Sequence, residues 1–192
     1  MTLDDLQYVP VTTLATEQTV YRVQRTRSRP GAVAIGPLRL ARPDELLSRF
    51  AVFGEPAGYF AESPETAIYE SLVRREATSL SLTTVAARSL LCLRSTRPIE
   101  LLDLRPHATS WPVLQSLRFS ATQAIAADAR RAGFEGIAYR SAQQHGQDCF
   151  VIFGERLRDL RLAWRRPVVR SDGAIHQALA AAIRGGQILV TP

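Results

Sequence analysis

The chain has no lysine. All 24 of its basic residues are arginine, which we read as a bias of codon usage rather than as chemistry. Cysteine is nearly as scarce. Cys92 and Cys149 each sit in an apolar stretch, without CxxC spacing or a neighbouring histidine pair, so buried, reduced thiols are expected in place of a disulfide or a metal site. The histidines, His107, His145 and His176, are widely spaced and offer neither a triad nor a ligand pattern. No apolar run reaches membrane-spanning length, and the opening MTLDDLQYVPVTT carries acids where a secretory signal needs a basic start and an apolar block. A cytoplasmic protein without a membrane partner is expected. A Gly-rich phosphate loop is missing too, as are helix-turn-helix, zinc-finger and RNA-recognition signatures.

What is present is enough for one core: 192 residues, 46% of them hydrophobic, suit a single domain better than two. The net charge of +6 and a pI near 10.1 fit nucleic acid, a phosphorylated small substrate or an acidic protein partner. The arginines are scattered from Arg22 to Arg184 and only 7% of residues are aromatic, which argues against direct nucleic-acid binding.

Residues 1–17 show weak periodicity and read as an N-terminal arm or short helix. A β-prone run covers Thr19 to Val23, the loop Gln24 to Pro30 is rich in arginine, and Gly31 to Leu40 can hold a strand interrupted at Gly36-Pro37. Ser89 to Arg94 and Ile99 to Asp103 read as strands, followed by one long helix from Ser110 through Ala132 with Leu114, Leu117, Ala121 and Ile125 on a stripe. Gly136 to Tyr139 and Cys149 to Phe153 are the next strands. A helix from about Gly173 is stopped by Gly185-Gly186. Residues 156–192 are read as a C-terminal extension packed on the same domain, and the class is α+β in one domain.

The stretch GYFAESPETAIYESLVRR, Gly58 to Arg75, stands out. Tyr59 to Ala61 ends a strand, and Ser63-Pro64-Glu65 is a helix opening with a side-chain acceptor at the N-cap, proline at the first helical position and an acid in the first turn. Ile68, Tyr69, Leu72 and Val73 span an apolar arc with Glu70 at its margin. On helix geometry alone, Glu70 is an i,i+4 partner of Arg74. Arg22 is a solvated strand-end charge, Tyr59 a core aromatic and Ser141 a turn residue on the same terms.

The order of segments changes those readings. Tyr21-Arg22-Val23, then Arg49-Phe50 with Gly54 and Pro56, then Tyr59 with Ser-Pro-Glu-Thr-Ala and Glu70, then Gly133 to Ala142 ahead of the Cys149 strand resembles the RES-domain toxins, named for an arginine, a glutamate and a serine. The likeness spans residues 18–155. The sequence departs from the family pattern at Ser48, Ala51, Arg140 and Gln143, where glycine, a polar residue, proline and arginine are common.

The resemblance implies a RES domain with a fold similar to ADP-ribosyltransferases, and an enzyme that consumes NAD+ as substrate and needs no cofactor. It implies Glu70, Arg22 and Ser141 as catalytic residues and Arg22, Arg49, Tyr59 and Ser141 as NAD+-binding residues. The chemistry suits those residue types: a carboxylate stabilises an oxocarbenium-like state, and arginine forks match a pyrophosphate. Water or phosphate is the expected acceptor, and a cognate antitoxin, an Xre-type DNA-binding protein, the expected partner. Two rivals are an ADP-ribosyltransferase that modifies a protein and a non-catalytic basic binding module.

Overall fold

The computed structural model describes every residue except 1, 7 and 117. Strand β1 (Val11–Leu14) is followed by β2 (Thr19–Arg25), the hairpin β3 (Val33–Ile35) and β4 (Leu38–Leu40), and β5 (Ala57–Ala61), which leads into α1 (Pro64–Ser71). Then come β6 (Ser79–Ser81), α2 (Leu82–Ala86), β7 (Arg88–Ser95), β8 (Ile99–Asp103), α3 (Phe119–Arg131), β9 (Gly136–Arg140) and β10 (Asp148–Phe153). The chain closes with β11 (Leu160–Pro167), α4 (Gln177–Gly186) and β12 (Leu189–Thr191).

Eight strands form one mixed sheet in the order β1-β8-β9-β10-β5-β2-β7-β11. Every pairing within this sheet is antiparallel except β8 with β9. Both faces are covered. Leu90, Val151 and Tyr139 join the core shared with α1, α3 and α4, while Leu91, Ile152 and Ala138 join a second core capped by Leu38, Leu40 and Leu157. Burial on two sides is why Cys149 to Phe153 is an unbroken apolar run instead of an alternating one. Gly136 is needed between the layers, because a β-carbon there would strike the Val151 carbonyl.

Two local expectations change. The region read as one helix from Ser110 splits into a 3-10 turn at Pro112–Gln115 and α3. Ser116 sits at the break, donating to the Val113 carbonyl at 3.0 Å and accepting from the Arg118 amide at 3.2 Å, a local bond that competes with the helix ladder. Leu117 lies outside the described residues. At the other end, Gly185 and Gly186 lie within α4 and Gln187, not glycine, takes the left-handed turn at φ 50°. The glycines instead permit close packing, since β-carbons would meet the Tyr69 hydroxyl and the Val73 side chain on or just beyond α1. The N-terminal residues hold the expected short helical segment, a 3-10 turn at Leu3–Asp5, and in addition supply an edge strand, β1, paired to β8.

The feature that positions the site is a split in this sheet. β2 and β5 are neighbours through a single register pair, Tyr21 opposite Ala61. Beyond that pair each strand turns to its other partner, β7 or β10, and the wedge between them opens to solvent.

Candidate active site

The wedge holds a cavity of about 750 Å³, within the range of small-molecule sites. Arg22, Arg49, Tyr59 and Glu70 line it, together with Tyr139 and Gln143. Nine arginines and two carboxylates, Glu45 and Glu70, contribute to its wall, so its field is strongly positive.

Glu70 is placed by α1 and held by the loop after β9. Ser63 caps the helix, accepting from the Thr66 amide at 3.0 Å, with Pro64 in the first turn. This fixes the phase that brings Glu70 to the cavity. Its Oε1 accepts from the Ser141 hydroxyl at 2.5 Å, the Ala142 amide at 3.1 Å and the Gln143 amide at 3.4 Å. Oε2 receives no hydrogen bond from the described residues and is the oxygen available to a ligand. Arg74 does not pair with Glu70; it lies 3.8 Å from Glu76, because α1 ends at Ser71 and the i,i+4 geometry ends with it.

Ser141 is fully buried and does not line the cavity. Besides donating to Glu70, its oxygen accepts from the Gln143 and Gln144 amides at 3.1 and 2.9 Å. Thr66 ties the same loop to α1 by donating to the Gln144 side chain at 2.8 Å. The serine therefore meets the carboxylate and shapes the loop, and reaches a ligand only through them.

Arg22 comes from β2, where the sheet splits. Its guanidinium donates to the carbonyls of Tyr59 at 3.0 Å and Arg39 at 3.2 Å, spanning the wedge. Burial lowers its pKa to about 10, so it remains charged at neutral pH. Arg49 reaches the cavity from the loop before β5 and is 8% exposed. It sits 5.7 Å from the Tyr139 ring centroid, a cation–π arrangement. The Nε groups of Arg22, Arg49 and Arg88 are buried without a hydrogen-bond partner, and none of the three forms an ion pair among the described residues. Unpaired buried donors in a positive cleft are a site for an anion.

The Tyr59 hydroxyl accepts from the Phe50 amide at 3.0 Å and shares a hydrogen bond with Ser48 at 2.8 Å, and burial raises its pKa. Ser48, one of the departures from the RES pattern, thus bonds to a cavity tyrosine. The loop carrying Arg49 is clamped from α3: Thr122 donates to the Arg49 carbonyl at 2.5 Å and Gln123 to the Ser48 carbonyl at 3.0 Å. Sequence reading missed Tyr139, Thr122 and Arg88. Tyr139 stood in a strand beside the serine segment, but Thr122 and Arg88 carry no local signal.

A family model described as RES domain matches residues 19–166. The fold is similar to that of a chain in the crystal structure of the M. tuberculosis MbcT–MbcA toxin–antitoxin complex, with a TM-score of 0.60 and 20% identity over 80% of this chain and 85% of that one. No curated protein matches the sequence.

Proposed function

The chain belongs to the RES-domain family, and from that premise and the cavity we propose that it cleaves NAD+ between nicotinamide and ribose. The observation that carries this reading is one carboxylate, Glu70, fixed on Oε1 by three donors, in a cleft where the Nε groups of Arg22, Arg49 and Arg88 are buried without a hydrogen-bond partner.

Arg22 and Arg49, both in the cavity wall, bind the pyrophosphate through their guanidinium groups, where a fork of donors outperforms an ammonium. Tyr59 and Tyr139 supply aromatic surface beside the nicotinamide. As the bond from ribose C1′ to the ring nitrogen breaks, both electrons leave with nicotinamide and positive charge grows on the sugar. Glu70 Oε2 stabilises that charge and orients a ribose hydroxyl. Ser141 keeps the carboxylate aimed. A lone pair on water or phosphate oxygen then forms the new bond to C1′, and the acceptor's proton passes to solvent.

A small acceptor is favoured over a protein side chain. Many protein-modifying transferases carry a second glutamate two residues before the catalytic one; here the position is Ile68, which is fully buried in the core. The biological role we propose is that of a toxin restrained by a cognate antitoxin of the Xre-type, DNA-binding kind. The family and the fold of the toxin–antitoxin structure support it.

The test follows nicotinamide release from NAD+ by the parent and by Glu70→Gln, whose amide keeps the shape and loses the charge. The expected loss is about 10²–10³-fold or more in kcat, with an unchanged circular dichroism spectrum. Near-normal turnover by the folded variant refutes the assignment. Mass spectrometry with and without phosphate separates ADP-ribose from its phosphorylated form.

A further inference from the structure

The cavity wall contains more positive charge than a pyrophosphate needs, and part of it is grouped apart from Arg22 and Arg49. Arg25 lies three residues beyond Arg22 on β2, about 10 Å along the strand, and sits in register opposite Arg88, the first residue of β7. Arg29 belongs to the loop after β2. That loop is pinned to the turn before β7, for the Thr26 amide and hydroxyl both donate to the Ala87 carbonyl, at 2.9 and 3.2 Å.

All three side chains line the cavity, and none forms an ion pair among the described residues. The Arg88 Nε is buried without a partner. Burial, and after it the charges of Arg25 and Arg29, lower the pKa of Arg88. Like charges directly opposite on neighbouring strands destabilise a sheet. Among the described residues no acid pairs with any of the three, and unpaired arginines grouped in a positive cleft favour an anion.

We propose that Arg25, Arg29 and Arg88 form a second anion subsite in the cleft, apart from Arg22 and Arg49, taking a phosphate dianion. Two sources share that chemistry: a phosphomonoester on the substrate's adenosine ribose, as in a 2′-phosphorylated dinucleotide, and free inorganic phosphate. The dinucleotide source rests on the function proposed above, whereas the subsite itself does not.

The experiment measures binding rather than turnover, so a protein that fails to cleave NAD+ still reports on the subsite. Adenosine 2′,5′-bisphosphate, AMP and inorganic phosphate are titrated calorimetrically at constant ionic strength. The proteins are the parent, Arg25→Gln/Arg29→Gln, the triple variant that adds Arg88→Gln, and a charge-matched control, Arg158→Gln/Arg161→Gln/Arg170→Gln. Arg25 and Arg29 are exposed, so the double variant keeps the test valid if the triple one does not fold.

A nucleotide-borne phosphate predicts that the bisphosphate binds the parent at least about 10-fold more tightly than AMP, as one or more charge-assisted pairs allow. That advantage shrinks in the double variant, vanishes in the triple one and survives in the control. Free phosphate predicts instead that the bisphosphate and AMP bind alike, while inorganic phosphate binds the parent and is weakened about 10-fold by the same substitutions. The proposal is overturned if the parent shows neither preference, or if the substitutions weaken binding no more than the control does.

Discussion

Replacing Ser141 by alanine separates a residue that aims the carboxylate proposed as catalytic, Glu70, from one that touches substrate. The hydroxyl donates to Glu70 Oε1 at 2.5 Å and accepts from two amides at 2.9 and 3.1 Å. Loss of a charge-assisted hydrogen bond costs about 1.5–3 kcal/mol, and each buried amide left without an acceptor adds about 1 kcal/mol or more. Gln143 retains the Glu70 contact at 3.4 Å, so the sum falls at about 2–4 kcal/mol, a melting shift of roughly 5–15 °C at this chain length. Freed of its shortest contact, the carboxylate loses its fixed position, and a misplacement on the scale of 1 Å costs about 10²-fold in rate. Because Ser141 lies outside the cavity wall, KM should change little. The assay is thermal melting beside steady-state nicotinamide release. A rise in KM at unchanged kcat would place the hydroxyl on the substrate and refute the argument, and an unchanged kcat with unchanged KM would show that the serine does not govern Glu70.

Two further predictions follow from how the arginines are held. For Arg22, burial lowers the pKa to about 10; an unfolded arginine binds its proton up to a higher pH, so this cost to folding is full below pH 10 and is lifted as pH rises beyond it. The anion binding proposed for Arg22 runs the other way, expected while Arg22 is charged and lost as pH passes about 10. Arg22→Lys should raise KM at least about 10-fold at pH 7.5, and its KM should climb at lower pH than the parent's, since the same desolvation acts on a weaker base; superimposable pH profiles would count against it. Thr122→Val removes the buried hydroxyl that holds the Arg49 carbonyl at little change in volume. It should destabilise the protein by about 1–2 kcal/mol and raise KM more than it lowers kcat, as measured by chemical denaturation and substrate titration; an unchanged KM would remove α3 from the account of Arg49.

Much of the site could be read from the chain because its parts have strong local signatures. The Ser63-Pro64-Glu65 cap fixes where α1 starts, and the doubly buried strand β10 can be seen as an apolar run. Arg22, Arg49, Tyr59 and Glu70 were singled out by the order of their segments, and all four line one cavity. What escaped depends on pairing rather than on local pattern. Edge strand β11 carries Arg161, Arg165 and Arg166, and its register shifts between Leu162 and Trp164, so no period-two alternation survives. Arg88 acquires meaning only from standing opposite Arg25. Thr122 looks like an ordinary helix residue until the loop 73 positions earlier is seen against it. Ser141 shows a further limit: its segment could be recognised, but that it faces the carboxylate instead of the cleft is a matter of three dimensions.

The single register pair between β2 and β5 has a mechanical consequence. The sheet's hydrogen bonding falls into two plates, β1-β8-β9-β10-β5 and β2-β7-β11, joined by that pair, by the Arg22 fork, by α1 resting against both and by the cores on the two faces, which run across both. Relative twisting of the plates would disturb only that one pair of the ladder. A ligand gripped by Arg22 on one plate and by Glu70, which follows the other, acts as a brace across the joint. Occupancy then stiffens backbone remote from any contact, and slowed amide exchange along the facing edges of β2 and β5 is the trace it leaves.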